Sequence, residues 1–105
     1  MEQTLEIPRE LLVGHWRAPQ GPFTIDWIFH QDGSFSGSIL RRGELISNFT
    51  GTWVLDETWL HSEYTSDSSG AIDVGSTDRD VFLEFTFNYF VIQTRTGKRK
   101  YERVQ

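Results

Sequence analysis

Eight of the ten basic residues in this 105-residue chain fall in or beside four connections between strand-like segments: Arg17, Arg41, Arg42, Arg79, Arg95, Lys98, Arg99 and Lys100. Five acids share those connections: Glu44, Asp67, Asp73, Asp78 and Asp80. The set therefore carries +3 on a chain of formal charge −5, and the rest carries −8. A basic rim on an acidic protein attracts anionic groups, and the arginine fork matches a carboxylate bidentately. Arg17, Arg41, Arg42 and Arg95 are the expected head-group contacts. The plain alternative is that hairpin tips are where solvated charges collect.

Acid–base chemistry needs a titratable group out of water. The strand phase described below places only Tyr64 indoors. His61 and Glu63 share the opposite face of one strand, and Asp26 and His30 that of another. A slip of one residue in phase would turn such pairs inward and make them acid–base candidates. No catalytic residue is assigned. His15, His30 and His61 lack metal-ligand spacing and there is no cysteine, so neither a metal nor a cofactor is expected. The acidic balance argues against a nucleic-acid partner. Met1–Thr4 has no basic or apolar leader character, and no apolar run reaches membrane-span length. A cytoplasmic protein with no membrane partner is expected.

The elements that must hold these groups are short and strand-like. Four Trp, three Tyr and eight Phe supply a core for one small domain, 1–105. Pro8 suits the first turn of a helix running into Leu11. Strands follow at 13–17, 23–30, 34–40, 45–55, 59–65, 80–87, 89–94 and 99–104. The second alternates cleanly, with Phe23, Ile25, Trp27 and Phe29 on one face. The sixth is read with Val81, Leu83, Phe85 and Phe87 inward. Asp32-Gly33 marks a tight hairpin. Ala18–Pro22 and Ser66–Arg79 are the longest connections, and the second reads as a lid or a disordered segment. Eight strands at hairpin spacing predict an all-β, antiparallel up-and-down barrel. In a meander both long connections lie at one end, which is expected to be open.

Gly14-His15-Trp16 follows the helical turn, Gly51-Thr52-Trp53 echoes it, and Arg103 lies near the end of the last strand. With the Phe29–Phe35 hairpin, these motifs resemble the small bacterial lipocalin-like domains of the calycin superfamily. The resemblance implies that Arg103 crosses the Trp16 ring at a closed end, with Gly14 and Trp53 in the same closure. The chain departs from secreted lipocalins in its shorter length and its lack of disulfides.

Three functions follow. The leading expectation is a barrel that binds a small apolar, anionic ligand. Trp27, Tyr64, Phe85, Phe90 and Ile92 would line the interior, and Gly37, Ser47 and Ser62 would leave it space. The second is a small enzyme of cyclase or isomerase type on an apolar substrate, marked by a titratable side chain inside. The third is a filled barrel acting as an interaction module. Ile28, Leu40, Ile46, Val54, Trp59, Phe82 and Val91 are expected on its outer face, forming a patch for a homodimer.

Overall fold

The computed structural model describes residues 6–104. The reading of Met1–Thr4 lies outside them. A single turn, α1 (Arg9–Leu12), leads into eight strands: β1 (Gly14–Gln20), β2 (Phe23–Phe29), β3 (Ser34–Arg41), β4 (Glu44–Asp56), β5 (Trp59–Asp67), β6 (Thr77–Phe85), β7 (Tyr89–Thr94) and β8 (Gly97–Arg103). Each strand pairs antiparallel with the next, and β8 returns to β1, so the sheet closes as an up-and-down barrel. This layout is compatible with a lipocalin-like fold. Among the described residues no helix is long and apolar enough to cross a membrane.

Local chemistry explains the tight turns. The Asp32 carboxylate accepts from the Ser34 amide at 2.9 Å and from its hydroxyl at 2.6 Å, while Gly33 takes φ +92°. Arg42 and Gly43 both have positive φ between β3 and β4, as a two-residue hairpin loop requires. On the inner face, large rings fit because small residues sit opposite. A Cβ on Gly51 would overlap the Phe35 ring and the Glu63 carbonyl, and one on Gly37 would overlap the Phe49 ring. Gly37 therefore seats an aromatic ring instead of leaving empty space.

The closed end is built on Trp16 and Arg103. Trp16 is fully buried, and its Nε1 donates to the Leu12 carbonyl at 2.8 Å. The Arg103 guanidinium lies 4.2 Å from the Trp16 ring centroid and 4.4 Å from that of Phe87. It donates to the carbonyls of Leu11, Val13 and Phe87. Gly14 has φ +141°, and a Cβ there would come within 2.7 Å of Arg103 Nη1. Trp53 completes this end: its Nε1 donates to the carbonyls of His30 and Ser34, and Arg9 covers its ring at 4.6 Å.

Three features differ from the sequence reading. First, β1 continues through Pro19 to Gln20, with Ala18 fully buried, and only Gly21-Pro22 forms the turn. Pro19 is tolerated because the β1–β8 register covers Trp16↔Arg103 and Arg17↔Glu102 alone, so no ladder bond is lost on that side. Second, β5 extends to Asp67 and β6 starts at Thr77, which shortens the long connection to 68–76.

Third, the phase of β6 is shifted by one. Asp80 and Phe82 are buried, at 8% and 3% exposure, while Leu83 and Phe87 stand out at 41% and 55%. A bulge between Phe82 and Glu84 then restores Phe85 to the inner side. Strict alternation cannot bury both Phe82 and Phe85, and the bulge does. Phe82 thus leaves the expected outer patch. Of the remaining members, Ile28 lies between His15 and Ser36, Val54 pairs with His61 and Val91 lies between Glu84 and Lys100, while Leu40 pairs with Leu45 and Trp59 with Val81.

Replacing Arg103 by Ala removes charged hydrogen bonds to three carbonyls and the cation over Trp16. The expected loss in urea unfolding is about 2–4 kcal/mol. Arg103→Lys should recover less than half of it, because an ammonium cannot reach three acceptors in that fork geometry. Unchanged stability in Arg103→Ala would contradict this account of closure.

Candidate functional site

Above the aromatic floor the barrel holds a cavity of about 210 Å³ that opens between the β5–β6 and β7–β8 connections. This is the end expected to be open. Ile25, Trp27, Ile39, Phe49 and Ile92 form its apolar wall, and Ile72 hangs over it from the 68–76 connection. A cavity of about 150 Å³ is enough for one benzene-sized molecule.

The covering connection is tied down by one carboxylate. Asp67 accepts from the Ser47 hydroxyl, from Ser69 Oγ at 2.8 Å and from the Ile72 amide at 2.8 Å. The Ser47 bond first, and the Ile72 amide next, hold the Asp67 carboxyl well below the usual range. Ser47 is accordingly a support for the lid, not a gap in the wall. The 68–76 connection is an ordered cover.

Polar chemistry concentrates at the cavity mouth. The shifted phase of β6 turns both Asp78 and Asp80 toward the cavity. The Tyr64 hydroxyl donates to Asp78 Oδ2 at 3.0 Å, and Arg95 Nη2 stands 3.9 Å from Asp78 Oδ1. Arg99 Nη1 donates to the Tyr101 hydroxyl at 3.4 Å. Burial raises the Tyr64 phenol far above its ordinary value, with Asp78 adding to the effect, and burial also raises Tyr101. Both phenols remain protonated.

Asp80 differs from its neighbour. Its carboxyl has no hydrogen-bond partner among the described residues. Burial first, and the charge of Asp78 second, push it up to about 6, against the pull of Arg99 and Arg95. Among the described residues two polar side-chain atoms are buried without partners, Trp27 Nε1 on β2 and Ser62 Oγ on β5. Among the described residues there is no cluster of His, Cys, Asp and Glu that could hold a metal.

Of the residues expected to contact a ligand, Trp27, Tyr64, Ile92 and Arg95 line the cavity together. Phe85 and Phe90 pack on Trp16 at the closed end instead, with ring centroids at 6.0 and 4.8 Å. Arg17 lies on the outer face, where it shares Asp26 Oδ1 with His15, each at 2.8 Å. Arg41 lies over the Phe23 ring at 5.8 Å, and Arg42 sits in the hairpin turn. Arg17 sits mid-strand in β1 and Arg41 and Arg42 at the β3–β4 turn, and none of the three lines the cavity. Asp78, Asp80 and Arg99, counted from the sequence only as rim charges, and Tyr101, not counted at all, join the site. The available signals were the Asp-x-Asp-x-Phe spacing at 78–82 and the common phase of Tyr101 and Arg103.

A carboxyl raised from 3.8 to about 6 destabilises the fold above that value and has no effect below 3.8. Asp80→Asn is therefore expected to stabilise the protein at about pH 8, by about 1–2 kcal/mol once solvent screening at the cavity mouth is allowed for. The gain should shrink as pH falls through 6 and vanish near 3.8. Urea unfolding across pH measures it, and a pH-independent difference would contradict the placement of Asp80. No family model, curated protein or solved structure matches the chain.

Proposed function

We propose that this chain is a lipocalin-like barrel that binds a small, largely apolar molecule in the cavity beneath Ile72. The helical turn before Gly14-His15-Trp16 and the Arg103 guanidinium over Trp16 support the lipocalin-like assignment. One observation carries the binding reading: the interior is not filled. A void of about 210 Å³ sits between a packed aromatic floor and an ordered cover, and the Asp80 carboxyl that lines it has no hydrogen-bond partner among the described residues. A barrel serving only as a rigid module would gain stability by filling that space.

The test is to fill it. Ile39→Trp places an indole into the cavity from β3, while Ile46→Trp on the exposed side of β4 serves as control. Binding of indene, a two-ring hydrocarbon, is followed by amide chemical shifts. It should weaken by about tenfold or more in Ile39→Trp and stay unchanged in Ile46→Trp, about 1.4 kcal/mol being tenfold. Equal binding in both variants would refute the cavity as the site.

A second reading rests on Asp80 itself. A carboxyl titrating near 6 within an apolar cavity can accept or donate a proton at neutral pH. On this enzymatic reading, a bound carbonyl compound would exchange its α-hydrogens with deuterated water faster as Asp80 ionises. Asp80→Asn would abolish that exchange while leaving the compound bound. Exchange that persists in Asp80→Asn would remove Asp80 from the chemistry.

A further inference from the structure

Large apolar side chains stand exposed at the end where the cavity opens: Phe23, Leu45 and Ile46 on the strands, and Val74 on the covering connection. The first three share one corner. The β1–β2 and β3–β4 turns touch there, the Arg42 amide donating to the Pro22 carbonyl at 3.3 Å. Along β4 the inward phase runs through Ser47, Phe49, Gly51 and Trp53. Ile39 pairs with Ser47 and Leu40 with Leu45, so Ile46 is an extra residue on β4. This bulge takes Leu45 out of the inward phase, and Leu45 and Ile46 stand side by side at 57% and 47% exposure. Phe23 lies on the opposite face, in phase with Ile25 and Trp27, with the Arg41 guanidinium 5.8 Å from its ring centroid.

We infer that this end docks on the surface of an anionic lipid bilayer, with Phe23, Leu45 and Ile46 entering the acyl boundary and Arg41 and Arg42 at the head groups. Two observations select that occupant. First, apolar side chains occupy both faces of one narrow corner. A protein partner or a second copy covers one face, whereas a fluid apolar phase surrounds both. Second, the charge is complementary. The exposed charges in the four connections at this end, 21–22, 41–44, 68–76 and 95–98, are Arg41, Arg42, Arg95 and Lys98 against Glu44 and Asp73. Four minus two leaves +2, and the rest of the chain carries −7 to make up the total of −5. An anionic surface repels that remainder and so turns the open end toward itself. Arg41 and Arg42 have no ion-pair partner among the described residues. Their long stems let the guanidiniums stay at the head groups while their neighbours enter. The expectation of no membrane partner rested on the lack of a spanning run, and surface docking needs none. The docking does not depend on the cavity holding a ligand.

The chain has no cysteine, so Leu45→Cys carries a single environment-sensitive dye at the corner, and Val54→Cys carries one on the exposed side of β4 toward its other end. With vesicles of mixed phosphatidylcholine and phosphatidylserine, the dye at position 45 should brighten and shift to the blue, and the dye at 54 should not respond. Unlabelled protein should sediment with the mixed vesicles, stay in solution with pure phosphatidylcholine, and be released by salt. Arg41→Ala combined with Arg42→Ala should weaken vesicle binding about twentyfold, roughly fivefold for each arginine. Leu83→Ser, exposed on β6, should leave it unchanged. A silent dye at position 45, no preference for the anionic vesicles, or full binding by the double arginine variant would overturn the docking. A dimer that Leu45→Ser dissociates, without vesicle binding, would assign the corner to a second copy and overturn it as well. Each of these outcomes leaves the cavity reading standing.

Discussion

The Arg103 guanidinium spans the seam where the last strand meets the first, and the closed end of the barrel depends on it. β1 and β8 share the register pairs Trp16↔Arg103 and Arg17↔Glu102, a short join for a sheet of this size. One side chain reinforces it by donating to carbonyls of α1, of the residue leading into β1 and of the β6–β7 turn. It also covers two aromatic rings. Gly14 is obliged to be glycine by the same contact, since its backbone angle and the guanidinium leave no room for a side chain.

With the floor sealed by Trp16, Phe85 and Phe90, the free space lies at the other end. There β1 carries Pro19, its pairing with β8 has ended, and the 68–76 connection turns back over the interior. The geometry separates two tasks along one axis. Aromatic packing at one end provides stability. The other end holds polar groups whose hydrogen bonding the fold leaves incomplete. Asp80 illustrates the cost, because its ionised carboxyl is disfavoured by burial and by Asp78. Perturbed groups of this kind cluster at functional sites, which supports the binding proposed for the cavity.

The barrel was legible because its signals are local and repeated. β2 alternates over seven residues, Asp32-Gly33 and Arg42-Gly43 occupy hairpin turns, and β7 spans Tyr89–Thr94 as read. The closure was legible through Gly14, Trp16 and Arg103, which act at long range but carry a distinctive pattern. The site was harder, for one physical reason. In β6 the apolar residues Val81, Phe82, Leu83 and Phe85 satisfy two phases, and period-2 reading chooses the longer run. The bulge after Phe82 is fixed by packing against Phe90 and Trp16, which no local window contains. The shift moved Leu83 out and brought Asp80 in. Arg41 and Arg42 lie at the β3–β4 turn but outside the cavity lining, because a rim residue's direction depends on where each turn ends its strand, and Arg17 sits mid-strand on the outer face.

The orientation of β6 underlies the site, and the carboxyl of Asp80 reports it most directly. A carbon-13 NMR titration of that carboxyl in the intact protein should give a midpoint of about 6. Such a value means that the group sits among the cavity's apolar walls beside Asp78. A midpoint at or below the ordinary 3.8 would put the carboxyl in water. It would restore the alternating phase of the strand, with Leu83 inside, and leave the cavity without its acid.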